Sequence, residues 1–314
     1  MRYLSETDLA SLGITTAEVV ACMERLILAQ AQGRAWIAPK TNVATADDRY
    51  LMATLAAADD PPFMAVKALL INPANPQMNR NAINASITLM DSTTGRTVAL
   101  LDGNWVTAVR TAGASALVAK HMANADSSVL ALVGCGVQAR SHLQAFSDLF
   151  PLRQVRAFGR GAKNRDALCE LAGSLGMEVV ACDGAEDAVS GADLVVTSIP
   201  LVPKIEPFLD GDWLKPGVFL SSTDLALPWK RGSMAVFDRI IIDDRQQEAS
   251  MPEPMLDPIL VDGDLVELVS GQVDGRADET ERTAFVFRSV AVGDLALSAL
   301  AYEKACLHSA GTKL

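Results

Sequence analysis

The sequence predicts an α/β protein: a Rossmann-type parallel-sheet domain plus a smaller α+β domain. Two observations carry this. From Ser127 onward, apolar strand-like runs alternate with amphipathic helical ones, the pattern of βαβ units in a sheet covered on both faces. Before that point apolar runs follow one another with no helix between them, as in a mixed or antiparallel sheet. The length of 314 residues fits two domains.

Taken in order, a helix is expected over 15–33, where Thr15 and Glu18 have capping-box spacing and Gly33 sits at a stop position. Short strands are expected at 50–57 and 63–71. Residues 87–102 (ITLMD-STTG-RTVALLD) form a hairpin signal, two apolar runs around a Ser/Thr/Gly turn. Residues 107–123, rich in small helix formers, predict a helix crossing between domains. Strands follow at 129–133, 155–158, 179–181, 194–198, 218–220 and 239–242, with helices at 137–149, 163–175 and 186–190. A long helical pattern over 284–306 closes the chain. The expected division is 1–113 together with 290–314 for the smaller domain, and 114–289 for the Rossmann domain.

Composition excludes several classes of function. With 27 basic against 38 acidic residues the net charge is −11, which argues against a general nucleic-acid binder, since that needs clustered cations. Half the residues are hydrophobic and 21% are charged, enough apolar surface for a substantial core. No apolar run is long enough to predict a membrane-spanning helix. The opening MRYLSETDLASLG brings acids early and has no apolar core, so no export signal is expected. Five cysteines without a CxxC pair point to a reducing cytoplasm rather than a disulfide framework or zinc site. His121, His142 and His308 form no HxxxH or carboxylate cluster, so no metal is expected.

The sharpest motif is SSVLALVGCGVQARSHLQAF, residues 127–146. A strand runs into Gly134-Cys135-Gly136 and then into a helix. One glycine makes the tight turn, and the second lets the backbone approach a pyrophosphate at the helix N-terminus, with Ala139 as the third small position. Cys135 is expected as a small residue that fits the turn rather than a redox switch. For NAD the second strand should end in an acid. Here it ends Ala157-Phe158-Gly159-Arg160, followed by Lys163, so Arg160 on a 2′-phosphate favours NADP over NAD.

Three further residues draw attention. Arg110-Thr111 pairs a guanidinium with a hydroxyl near a helix start, a natural seat for an anion. Lys67 lies within FMAVKALLI, where spacing alone favours the wet face of an alternating strand; buried, it would have to be paired or used. Asp224, in SSTDLALPW, follows the strand over 218–220, at the carboxyl end where ligands bind in such sheets. An isolated loop aspartate is more often a turn former.

Together, the lysine strand, the hairpin, TAVRTAGASALVAKHMA, VGCGVQARSHLQAF, SSTD and FRSVAVGDLALSALAYEKA resemble the ornithine cyclodeaminase/mu-crystallin family over nearly the whole chain. The resemblance implies a homodimer whose smaller domain binds substrate and dimerises. It implies that Lys67 and Arg110 hold the substrate carboxylate, with Lys40 standing where the family usually has an arginine, a softer and non-bidentate substitute. Asp224 would be the acid/base group at the substrate nitrogen, with Ser289 and Val290 closing the pocket near the nicotinamide. Gly134, Gly136, Val137 and Gln138 would form the pyrophosphate turn, and Gly159 and Arg160 would meet the adenosine ribose. Arg110, Thr111, Thr197, Ser198 and Ser222 would complete the cofactor set.

The sequence departs from the family's cyclodeaminases in LALPWKRGSM after Asp224, in Ala82 where a threonine is usual, in the added cation Arg80, and in the acid-free Rossmann tip. These favour NAD(P)H-dependent reduction of a small 2-imino acid (a ketimine, or a keto acid plus ammonia) to an L-amino acid. If Arg80 points inward, a dicarboxylic substrate such as iminosuccinate follows. The alternatives are an ammonia lyase with tightly bound NAD, and a non-enzymatic NADP- and ligand-binding protein. No nucleic-acid or membrane partner is expected.

Overall fold

The computed structural model describes residues 1–78, 80–200 and 205–314. It is α/β, with two eight-stranded sheets, and the chain divides into two compact units: Met1–Arg110 with Val290–Leu314, and Thr111–Ser289.

The first unit opens with β1 (Arg2–Leu4), α1 (Glu6–Ser11) and α2 (Thr16–Ala31). The expected capping box starts α2. Thr15 Oγ1 accepts the Glu18 N–H, and the Glu18 carboxylate accepts the Thr15 N–H. Val19, Met23, Leu26 and Ile27 then bury one stripe of the helix. Next come β2 (Ala35–Ile37), β3 (Thr41–Ala44), β4 (Tyr50–Ala58), β5 (Phe63–Ile71), β6 (Ile83–Asp91) and β7 (Thr97–Asp102). β4 to β7 form an antiparallel ladder, while β1 runs parallel to β7, so the sheet is mixed. The hairpin turn closes because Asp91 Oδ1 accepts the N–H groups of Thr93 and Thr94. α3 (Gly103–Met122) begins at 103 rather than 107, and the division between units falls inside it.

The second unit alternates as expected: β8 (Val129–Val133), α4 (Val137–Ser147), β9 (Gln154–Phe158), α5 (Ala162–Ser174), β10 (Glu178–Ala181), α6 (Ala185–Val189), β11 (Leu194–Thr197) and β12 (Phe219–Ser222). It continues with β13 (Arg239–Ile242), α7 (Arg245–Ala249), β14 (Gly263–Asp264), α8 (Leu265–Val269) and β15 (Thr283–Val286). All its strand pairs are parallel, in the order β10-β9-β8-β11-β12-β15-β13-β14. β8 therefore has β9 on one side and β11 on the other. The crevice at their carboxyl ends is the topological switch point, where such sheets bind ligands.

The chain returns to the first unit through α9 (Ala291–Leu307) and β16 (Thr312–Lys313). This corrects the helical pattern expected over 284–306. Residues 284–286 belong to β15, fully buried between β12 and β13, and the helix begins only at Ala291. A short continuous apolar run looks the same in a buried strand and a buried helix, so periodicity could not separate them.

Candidate cofactor and substrate sites

The glycine turn begins where β8 ends. Gly134 has φ +91°, and a Cβ there would lie 2.5 Å from the Ser198 carbonyl oxygen at the end of β11. Only glycine lets the two strand ends come this close. Gly136 is the N-cap of α4, no side chain caps the helix, and a Cβ at Gly136 would meet nothing within 4 Å. The positive end of α4 thus faces an open cleft of about 900 Å³, lined by Gly134, Gly136, Gly159, Arg160 and Ser198 among others. Ser198 Oγ, on the lining of the cleft, and Gln138 Oε1, in the first turn of α4, are buried with no hydrogen-bond partner among the described residues. Val137 is exposed and Ala139 buried. An uncapped helix end, a glycine cradle and two buried polar atoms without partners fit a dinucleotide pyrophosphate. Cys135 is buried, and burial pushes its thiol up to about 11, which makes it a filler rather than a nucleophile. Arg160 is exposed at the β9 tip, on the lining of the cleft.

Sequence reasoning set His142 aside, yet it is fully buried beneath this turn. Its Nδ1 lies 2.7 Å from the Gln138 carbonyl, so Nδ1 carries the proton, and Nε2 accepts the Ser115 hydroxyl at 2.8 Å. Ser221 Oγ donates to Ser115 Oγ in turn. Burial drives the imidazole down to about 4, so it stays neutral. The spacing from Gln138 to His142, one helical turn, was the available sequence signal.

Asp224 leaves the end of β12 and is fully buried. Its Oδ1 accepts the hydroxyls of Thr197 (2.8 Å) and Ser222 (2.7 Å), and its Oδ2 accepts the Ile199 N–H (3.0 Å). Leu225 and Ala226 follow in left-handed conformations at φ 61° and 55°, and the Ala226 N–H donates to Ser222 Oγ. Thr197 and Ser222, expected at the cofactor, both end strands beside Asp224 and give it their hydroxyls. Burial pushes the Asp224 carboxyl up, against the pull of these three donors. Farther along, Ser289 takes φ 112°, its N–H donating to Asp243 Oδ2 and its carbonyl accepting from Gln247 Nε2.

In the first unit Lys67 does not lie on the wet face. β4 and β5 pair Thr54 directly with Lys67, and that side of the sheet is covered by α9. Lys67 is 1% exposed and Arg110 2%. Between them stands Asp294, in the first turn of α9. Its Oδ1 accepts from Lys67 Nζ and Arg110 Nε, each at 2.8 Å, and its Oδ2 accepts from Thr54 Oγ1 at 3.2 Å. Burial lowers Lys67 to about 8; Arg110 and Lys40 push the same way and Asp294 opposes them. Burial also pushes the Asp294 carboxyl up, but Lys67 and Arg110 outweigh it and hold it below its ordinary value. Asp294 was not among the expected site residues; its signal was a single acid in the apolar run AVGDLALSALA. Lys40 is half-buried, Arg80 is exposed and Ala82 half-buried. Thr111 is buried at the start of the second unit, and Val290, the N-cap of α9, is buried in the first.

The family model described as ornithine cyclodeaminase/mu-crystallin matches residues 7–309. The chain belongs to this family. Over 223 residues it is 32% identical to the ketimine reductase mu-crystallin of Rattus norvegicus, covering 70% of this chain and 69% of that protein. Over 326 residues it is 26% identical to the alanine dehydrogenase of Archaeoglobus fulgidus, covering 99% and 97%. The solved Delta(1)-pyrroline-2-carboxylate reductase of Thermococcus litoralis, in complex with NADH and L-proline, matches with a TM-score of 0.92 at 27% identity, covering 100% of both chains. Among the described residues of this family member, no group of three or more His, Cys, Asp or Glu could hold a metal, and no helix is long and apolar enough to cross a membrane.

Proposed function

We propose that this family member is an NAD(P)H-dependent oxidoreductase that reduces the C=N bond of a small 2-imino acid, a ketimine or a keto acid plus ammonia, to an L-amino acid. The observation that carries the reading is the buried pair Lys67 and Arg110, gathered on Asp294, in a chain that also bears an open glycine turn. Alanine and Delta(1)-pyrroline-2-carboxylate, named in two of the relatives, both carry nitrogen on the carbon beside a carboxylate.

The nicotinamide, when bound, supplies the hydride. Lys67 and Arg110, with Lys40, hold the substrate carboxylate and so orient the C=N plane. Asp224 handles the proton on nitrogen, and its ionised form stabilises the protonated imine, the better hydride acceptor. Gly134, Gly136, Val137 and Gln138, with Arg110 and Thr111, receive the pyrophosphate. Gly159 and Arg160 receive the adenosine ribose, and Arg160 favours NADP. Ser198 and Ser289 complete the cofactor set and Val290 the substrate pocket. An iminosuccinate-type substrate is the version of this reading that needs Arg80 as a second anion site.

A homodimer belongs to the same reading. The sheet face opposite Lys67 exposes Leu51, Leu55, Met64 and Leu70, an apolar surface suited to a second copy of this chain, and one solved structure of the same fold is an archaeal alanine dehydrogenase dimer. Leu55→Glu with Met64→Glu is expected to give monomers by light scattering. Five free thiols suit a reducing cytoplasm.

The test is NADPH and NADH oxidation with pyruvate, glyoxylate or oxaloacetate plus ammonia or methylamine, and with cyclic imines. Turnover of one imine source, faster with NADPH, is expected. Ammonia release from ornithine without imine reduction would make the protein a cyclodeaminase. Silence throughout would make it a binding protein. Preference for oxaloacetate that disappears in Arg80→Ala would assign the second carboxylate.

A further inference from the structure

We infer that Asp294 is a positioning residue for substrate binding: it holds Lys67 and Arg110 as a preset pair and keeps Lys67 charged, and so governs affinity for the substrate carboxylate. This rests on the reading that Lys67 and Arg110 hold that carboxylate.

The geometry gathers four elements on one carboxylate. Lys67 comes from β5, Thr54 from its register partner on β4, Arg110 from α3 and Asp294 from α9. Lys67 Nζ meets both Asp294 oxygens, at 2.8 and 2.7 Å. Asp294 is the only acceptor found for it among the described residues, and an ammonium has three N–H donors, so capacity remains for a ligand oxygen. Gly293 makes the approach of α9 feasible. A Cβ there would stand 2.9 Å from Met23 Cε and 3.4 Å from Arg110 Cδ. The first turn of a helix also favours an anion.

The charged groups around Lys67 are Asp294 on α9, Arg110 on α3 and Lys40 between β2 and β3; its register partners Thr54 and Ile87 are neutral. Among these described residues, Asp294 is thus the acid that stands against two neighbouring cations. Without it a buried ammonium would give up its proton. Stability alone is a weak reason for such a cluster, because apolar packing of the same volume generally does as well.

The experiment compares Asp294→Asn and Asp294→Glu with the wild type. The Lys67 titration is read by NMR of ¹³C-ε-lysine, assigned with Lys67→Met, and KM and kcat are measured against pH. In Asp294→Asn, Lys67 is expected to titrate at lower pH. The substrate KM should rise at least about tenfold above neutrality and recover as the pH falls, with kcat nearly unchanged. Asp294→Glu should restore the pH profile. An unchanged Lys67 titration, or a KM increase equal at every pH, would overturn the inference. If Asp294→Asn does not fold, Thr54→Val should give a smaller KM increase with the same pH sense, and a pH-independent one would again count against it. Failure of the wild type to turn over any imine would strike the functional reading alone, since the titration needs no substrate.

Discussion

Asp294 and Asp224 are equally buried, one in each unit, yet their carboxyls are displaced in opposite directions. Asp294 faces Lys67 and Arg110 and is held below the ordinary range. Asp224 faces two hydroxyls and one backbone N–H and is pushed above it. Burial opposes the ionised form in both places. Full opposing charges overcome it, and neutral dipoles do not. One aspartate is thereby suited to be a permanent anion and the other to exchange a proton.

The sharpest way to break this contrast is Asp224→Asn. Loss of a positioned acid/base group should cut kcat about 10²–10⁴-fold, while NADPH affinity, followed by fluorescence, stays the same. Retained activity would mean that Asp224 serves only to hold its loop. Next in size is Lys67→Met, which removes a charge-assisted contact and should lower kcat/KM about 10–10²-fold, mostly through KM. In the wild type the same group gives a pH signature. Lys67 loses its proton as the pH passes about 8, so KM should climb above that point.

His142 extends the contrast to stability. Its folded value of about 4 lies below the ordinary 6.5, so the unfolded chain binds the extra proton between those limits. Its contribution is complete above pH 6.5 and is lost as the pH falls toward 4, by up to about 3 kcal/mol. Denaturation at pH 7 and pH 5 should show the loss in the wild type and a smaller one in His142→Leu. The smallest effect belongs to Thr197→Val. Removing one donor should raise the Asp224 carboxyl further and shift the acid limb of kcat/KM to higher pH, with an activity change of about tenfold or less.

Much of this was legible beforehand. The βαβ rhythm, the capping box at Thr15 and Glu18 and the 134–136 turn are local patterns, and local patterns survive without tertiary knowledge. What escaped depends on partners distant in sequence. Lys67 alternates like a surface lysine until α9, more than two hundred residues later, brings Asp294 over it. β15 is a four-residue run whose identity comes from the strands on either side. His142 and Ser115 meet across 27 positions, where no motif links them. Thr197 and Ser222 stood among the expected site residues, but their task becomes visible only once two strand ends lie side by side.

The contact between Gly134 and Ser198 sorts the cofactor cleft into parts that can and cannot be redesigned. Every side chain at 134 collides with backbone rather than with a movable group, so a mutational library should return almost nothing but glycine there. Arg160 and Asn164 line the same cleft from exposed positions and carry no such constraint. An engineer seeking to exchange one nicotinamide cofactor for the other should leave the turn alone and randomise the tip.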